Sequence, residues 1–307
     1  MKQIPYLLLS LLLFFSCKQE KQLIVLNLEK GHTYTYETNA DMTTTQTMNG
    51  MPLSVRMGIT GIMKFTVVDV KDTVYDMNVM YDKMEMKMYL PTGSMEFSSE
   101  KKDADELVSQ MLSQLTQKSF QVKMSNTGKI LDVSNLDKLY EDMLNAMSPV
   151  DPQKMAQAKA QLEQTFGAES FKSNMEMGLN LFTNKPVTEG DKWKIESKIS
   201  TMFGAVITNE YELESIDKKS CKIKGVSEIH TTSTDFPLNP NGIDMKYNLE
   251  GTASSAYNID CQTGWIVSAT IEEKMDGEIS VGATPQLPDG MKVPMTITID
   301  MKINGKD

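Results

Sequence analysis

Apolar and polar residues alternate one for one over long stretches of this chain. In VPMTITIDMKI, Met295, Ile297, Ile299, Met301 and Ile303 alternate with Thr296, Thr298, Asp300 and Lys302. A period of two marks a strand with one dry face and one wet face. KWKIESKI repeats the pattern, with Trp193, Ile195 and Ile199 set against Lys192, Lys194, Glu196 and Lys198. YDKMEMKMYL, residues 81–90, puts Met84, Met86 and Met88 on one side and Tyr81, Lys83, Glu85, Lys87 and Tyr89 on the other. Turns are predicted at Asn49-Gly50 and at the glycines that end SNTG (Gly128), NPNG (Gly242) and CQTG (Gly264).

The middle of the chain switches to helical spacing. After the acidic start DADE, Leu107, Val108, Met111, Leu112 and Leu115 form one stripe. SNLDKLYEDMLNAM predicts a second helix, with Ser134 and Asp137 spaced as a capping box. DPQKMAQAKAQLEQTF predicts a third, with Pro152 in its first turn and a stop at Gly167. A fourth carries Phe171, Met175, Leu179 and Phe182 and is terminated by NKPV.

Three landmarks then occur twice in the same order. GHTYTYET from Gly31 corresponds to GDKWKIES from Gly190, FTVVDVKDTVYDM to YELESIDKKSCKI, and SNTGKILDV to CQTGWIVSA. The recurrence predicts two related β-rich halves, at 31–133 (with an inserted helix) and 186–307, flanking a helical segment at 134–185. The expected fold class is α+β, with long, curled antiparallel strands in half-barrel-like halves around central helices. Paired G-x-x-aromatic strands, the PVTEGDKW segment at 186–193 and the two Thr-Gly hairpins resemble uncharacterised Gram-negative lipoproteins with a duplicated β-rich body. A looser architectural likeness is to half-barrel carriers of lipids and lipoproteins. Neither resemblance carries a catalytic residue across.

The N-terminus adds an address. Lys2, the apolar run Ile4–Phe15 and Ser16 precede Cys17, the layout of a signal peptide over residues 1–16. The run is too short to span a bilayer, which needs about 20 residues. Ser16-Cys17 resembles the lipobox of bacterial lipoproteins, although Phe14 and Phe15 depart from it. That resemblance implies acylation at Cys17 and a tether over 17–30. Lys18, where inner-membrane lipoproteins have aspartate, points to the outer membrane and leaves periplasmic face or cell surface undetermined.

Charge and composition narrow the function classes. The formal charge is −10 without a basic run, which excludes a nucleic-acid footprint and attraction to anionic headgroups. The membrane partner is therefore expected to be reached through acyl chains. Two histidines, His32 and His230, fall in no nucleophile or metal signature, so no catalytic residue, metal or cofactor is assigned. Cys221 and Cys261 are a candidate disulfide in an oxidising compartment, or else two buried thiols.

Methionine stands out, with 25 residues, eleven of them between Met42 and Met95. Thioethers suit soft metals, but methionine fills apolar positions throughout this chain and no histidine or cysteine joins Met84, Met86 and Met88. These three are read as the lining for an apolar ligand or a partner's apolar segment. The expected function is a non-catalytic binding or carrier module of the envelope. The alternative is a structural outer-membrane component with filled sheets, whose partner is an envelope protein.

Overall fold

Long alternating runs build long strands. The computed structural model describes residues 21–48, 50–101, 107–116, 118–145, 167–199, 204–232, 245–283 and 287–307. Among these, the first half holds β1 Thr33–Met48, β2 Met51–Lys71, β3 Val74–Leu90, β4 Gly93–Ser98, β5 Ser119–Ser125 and β6 Ile130–Ser134. The second holds β7 Lys192–Ile199, β8 Ala205–Ile216, β9 Ser220–Thr231, β10 Met245–Asp260, β11 Ile266–Val281 and β12 Met291–Lys306. The helices are α1 Leu107–Leu115, α2 Leu136–Asn145 and α3 Ala168–Leu179. Residues 1–16, Cys17 and the third predicted helix at 151–166 lie outside the described residues.

Both halves are meanders of neighbouring antiparallel strands. The first runs β1-β2-β3-β5-β6 with β4 hairpinned onto β3, and the second runs β7 through β12. Because β12 also pairs with β1, the two meanders form a single twelve-stranded sheet. β2 alone has 21 residues and so extends about 70 Å. A sheet this wide and this long twists and curls. The result is the curled, half-barrel-like α+β fold that the alternation predicts, with its edges left unjoined.

The repeated landmarks occupy matched positions. Gly31 and Gly190 enter their strands at φ of 85° and 86°. Gly31 N donates to Val67 O, and Val67 N donates back to His32 O. Gly190, Leu213 and Asp191 make the same two bonds in the second half. Both following hairpins carry a register shift just after that residue, at Val67/Asp69 and at Leu213/Ser215. The landmarks are more widely spaced in the first half because β4 and α1 sit between β3 and β5.

The open seam of the curl is closed by α3. It touches both edge strands, β6 and β7. Glu176 of α3 accepts the free N–H of Ile130 on β6 at 2.9 Å, while Asn180 donates to Ser197 Oγ on β7 at 2.6 Å. On β6 the bond occupies edge backbone that could otherwise template another strand, and on β7 it holds the helix end against the edge through a side chain.

Much of the expected tether is structural. Within 17–30, Ile24, Leu26 and Leu28 are buried. Leu26 N bonds to Asn126 O and Asn27 N to Thr263 O, so each Thr-Gly hairpin grips this segment from its own half. Tyr75 Oη donates to Leu26 O at 2.8 Å. Residues 17–20 of the expected tether lie outside the described residues. The capping box also fails. Ser134 ends β6 and its hydroxyl bonds Asp132, while Asn135, at φ 69°, precedes α2.

Cys221, at the start of β9, and Cys261, just past β10, are joined as a disulfide with Cα atoms 5.4 Å apart. Cys221 pairs with Ile259 in the ladder, which brings the two cysteines together.

Candidate functional site

Residues directly opposite one another in a sheet share a face, so one row can be followed across the inner side. Starting at β4, the pairs are Met95 with Met88, Met88 with Met57, Met57 with Met42, and Met42 with Ile299. The row continues from Ile299 to Glu273, Ala253, Ser227 and Asn209. A neighbouring row on the same face runs Phe97, Met86, Ile59, Ala40, Met301 and Ile271.

On β2, β3 and β4 these two rows lie between two packed clusters; farther along, Ile271 and Met301 pack against one, and Met42, Ile299 and Ala253 against the other. On one side is the main core, built on Tyr34, Tyr36, Phe65, Phe120, Tyr140 and Trp265. On the other is a smaller cluster of Ile207, Ile229, Met275, Met295 and Ile297. Met84 is half-buried and packs against the main core. Met86 and Met88 are half-buried and belong to neither cluster. Ile59 and Met95 in the same band are 37% and 42% exposed. Among the described residues, the three methionines therefore divide into one that packs on the core and two that line an apolar band outside both clusters. Contiguous apolar surface of this kind is where soluble domains bind other molecules.

The band is apolar at one end and polar at the other. On β8 and β9, Ser227 Oγ donates to Asn209 Oδ1 at 2.6 Å, and both residues are buried. Asn209 Nδ2 reaches Ile195 O at 3.4 Å. Between these amides and the methionines stands Glu273. Burial pushes its carboxyl up to about 7, from an ordinary 4.5, and nothing offsets that cost. Its inward neighbours are Ile271 and Met275 on its own strand, Gly251, Ala253 and Ser255 on β10, and Ile297, Ile299 and Met301 on β12. None of these titrates.

A raised carboxyl pKa favours the protonated, folded form. Its stabilising contribution is complete below pH 4.5 and is lost as pH rises through about 7. At 1.36 kcal/mol per pH unit the loss is ~3 kcal/mol. Glu273→Gln is expected to abolish that slope and to raise the midpoint of thermal unfolding at pH 8, measured against wild type at pH 5 and pH 8. An unchanged slope in the variant would remove Glu273 as its source.

Sequence reasoning passed over Glu273, Asn209 and Ser227, yet the pattern held a signal for each. In ATIEEKMDGEI, Ile271, Glu273 and Met275 share parity, which puts one acid on the dry side. In AVITNEYEL, Asn209 follows Ala205 and Ile207 at the same parity, and Ser227 follows Ile223 and Gly225. Polar residues at dry positions are the informative exception in such a strand.

The outer face is different in kind. A groove of about 630 Å³ over β7–β11 is lined mainly by outward residues such as Lys194, Glu210 and Lys274, and it also touches Ser227, Ala253 and Glu273 of the inner row. Lys194 and Lys192 hold Glu210 below the usual carboxylate range. These exposed pairs contribute little to stability, because solvent screens them. His32 and His230 are exposed, His230 3.9 Å from Glu250. Among the described residues, no group of three His, Cys, Asp or Glu is placed to hold a metal ion. No described helix is long and apolar enough to cross a membrane.

Residues 72–266 match the model of DUF6263, a family of unknown function. The chain belongs to this family. The DUF6263 match runs from the β2–β3 turn to the start of β11, so Met84, Met86 and Met88 fall inside it, whereas Met42, Met57 and Glu273 fall outside. A comparison with curated proteins finds no match. Among solved structures, lipovitellin, described by its lipid–protein interactions, aligns with 92% of this chain at 13% identity and a TM-score of 0.45. This chain spans about a quarter of that protein, 26% of its length. An outer membrane channel of Pseudomonas putida F1 aligns at 8% identity over 92% of this chain and 97% of its own, with a TM-score of 0.26. A lipoprotein-sorting protein domain from Vibrio parahaemolyticus covers 88% of this chain and 83% of its own, at 9% identity and a TM-score of 0.12.

Proposed function

We propose that this protein is a non-catalytic lipoprotein of the cell envelope, held at the outer membrane by acyl chains on Cys17. Its curled sheet binds an apolar ligand, or an apolar segment of a partner, on the inner band. The observation that supports this reading is the row Met57–Met88–Met95, which packs against neither cluster among the described residues and is continued by Met42 at the margin of the smaller one. Methionine suits such a surface because its flexible, polarizable thioether adapts to varied apolar shapes.

Gently purified protein, extracted with organic solvent and analysed by mass spectrometry, is expected to yield a co-purifying apolar compound. Met57→Asp/Met88→Asp should lose it, and an empty extract from folded wild type would count against the reading. The anchor has a separate test. Cys17→Ser is expected to abolish labelling by an alkyne fatty acid and to move the protein from the membrane to the soluble fraction. Retention in the membrane with labelling intact would rule out acylation at Cys17.

A further inference from the structure

Any occupant of the band meets two chemistries in sequence along one row. Met88, Met57, Met42 and Ile299 present a continuous apolar run, and the next position is Glu273. From β11 to β3 the row crosses four strand spacings, about 19 Å at ~4.8 Å each, comparable to the ~15 Å of one leaflet's acyl chains. The band is two rows of side chains wide, spaced about 7 Å along the strands, which suits a single chain better than a bulky lipid.

The head end has a definite charge preference. The described inner-face residues that flank Glu273 on β10, β11 and β12 include no lysine, arginine or histidine. The lysines nearest in sequence, Lys274 on β11 and Lys302 on β12, have the opposite parity and so face outward. Lys274 is already engaged with Asp276 at 2.8 Å. With Glu273 ionised, as at pH 8, an anionic head would be placed beside an acid with nothing to neutralise either charge. A protonated amine would pair with the carboxylate, and burial away from water strengthens that attraction. Past Glu273, buried Ser227 and Asn209 add a hydroxyl and an amide for a head that also hydrogen-bonds.

We propose that the band's ligand is a single-chain amphiphile with a cationic, amine-bearing head, its tail over Met42, Met57 and Met88 and its head at Glu273. This rests on the apolar-binding reading above and adds the chemical class of the ligand.

The test compares three probes of equal chain length by calorimetry, below the concentration at which each self-associates: dodecylamine, dodecanol and dodecanoate. Wild type is expected to bind dodecylamine at least tenfold tighter than dodecanol, and dodecanoate more weakly than either. Glu273→Gln, checked as folded by circular dichroism, should bring dodecylamine to about the affinity of dodecanol. Glu272→Gln, altering the neighbouring acid on the outer face, should keep the wild-type order. Equal binding of amine and alcohol by wild type, or an undiminished amine preference in Glu273→Gln, would overturn the cationic-head assignment while leaving the apolar reading intact. Failure of dodecanol and dodecylamine alike to bind would overturn both.

Discussion

Trp265→Ala is expected to lower stability by ~3–5 kcal/mol, as deletion of a fully buried aromatic does. The indole is 2% exposed and lies at the junction of the two halves. It stacks on Tyr36 of β1 at 4.0 Å and 5°, meets Phe65 of β2 edge-on at 5.7 Å, and tilts against Tyr34 at 4.9 Å. Those contacts tie the start of β11 to the first half through its two leading strands. The backbone closes in as well. Gly264, at φ 70°, lies so near Val25 O that a Cβ there would collide with it. A cavity left by the indole therefore has little room to collapse. In a protein of this size the loss corresponds to a fall in the thermal midpoint on the order of 10 °C. Trp265→Phe separates packing from polarity. The indole N–H has no acceptor among the described residues, so Phe should recover most of the loss. A Phe variant as unstable as Ala would show that the account of this cluster is wrong.

Removing the Cys221–Cys261 disulfide is expected to cost ~4 kcal/mol, from the loop-closure entropy of the 40 residues it encloses. The bridge fastens β9 to the end of β10, beside the hairpin whose Thr263 carbonyl receives Asn27. Loosening it should therefore also loosen the grip on the N-terminal segment. Dithiothreitol is expected to lower the melting temperature of wild type substantially. Cys221→Ala/Cys261→Ala should start from the lower value and show no response to the reductant. A wild type indifferent to dithiothreitol would exclude a stabilising disulfide.

Much of the architecture was legible because a two-residue period leaves little ambiguity. Met295 to Ile303 and Trp193 to Ile199 read as strands, and they are β12 and β7. The duplicated landmarks were legible for the same reason, since a glycine with positive φ and a bulge after a hairpin leave a local trace in sequence. Pairing between distant strands leaves none. That β12 joins β1, merging both meanders into one sheet, depends on contacts more than 250 residues apart. The role of α3 was hidden likewise, because Glu176 and Asn180 look like ordinary helix-end polar residues until β6 and β7 are seen on either side.

The site was partly legible. Met84, Met86 and Met88 were singled out by their run, but alternation gives only the face, not what lies over it. Met84 meets the main core and its two successors do not, a difference of one sheet row that no local pattern encodes. Ile24, Leu26 and Leu28 misled in the opposite direction. They lie within the 17–30 stretch expected to be a tether, and only the two Thr-Gly hairpins reveal why they are buried.

The central claim is that the inner methionine band faces a bound molecule rather than the protein's own interior. A photoreactive benzoylphenylalanine in place of Met88 tests it most directly, irradiated in cells and read by mass spectrometry of the purified adduct. The account predicts attachment to a molecule that is not this chain, an apolar small molecule or a partner's segment, with the yield reduced when Met57→Asp is added. Crosslinks confined to the protein's own residues would show a filled interior and contradict it.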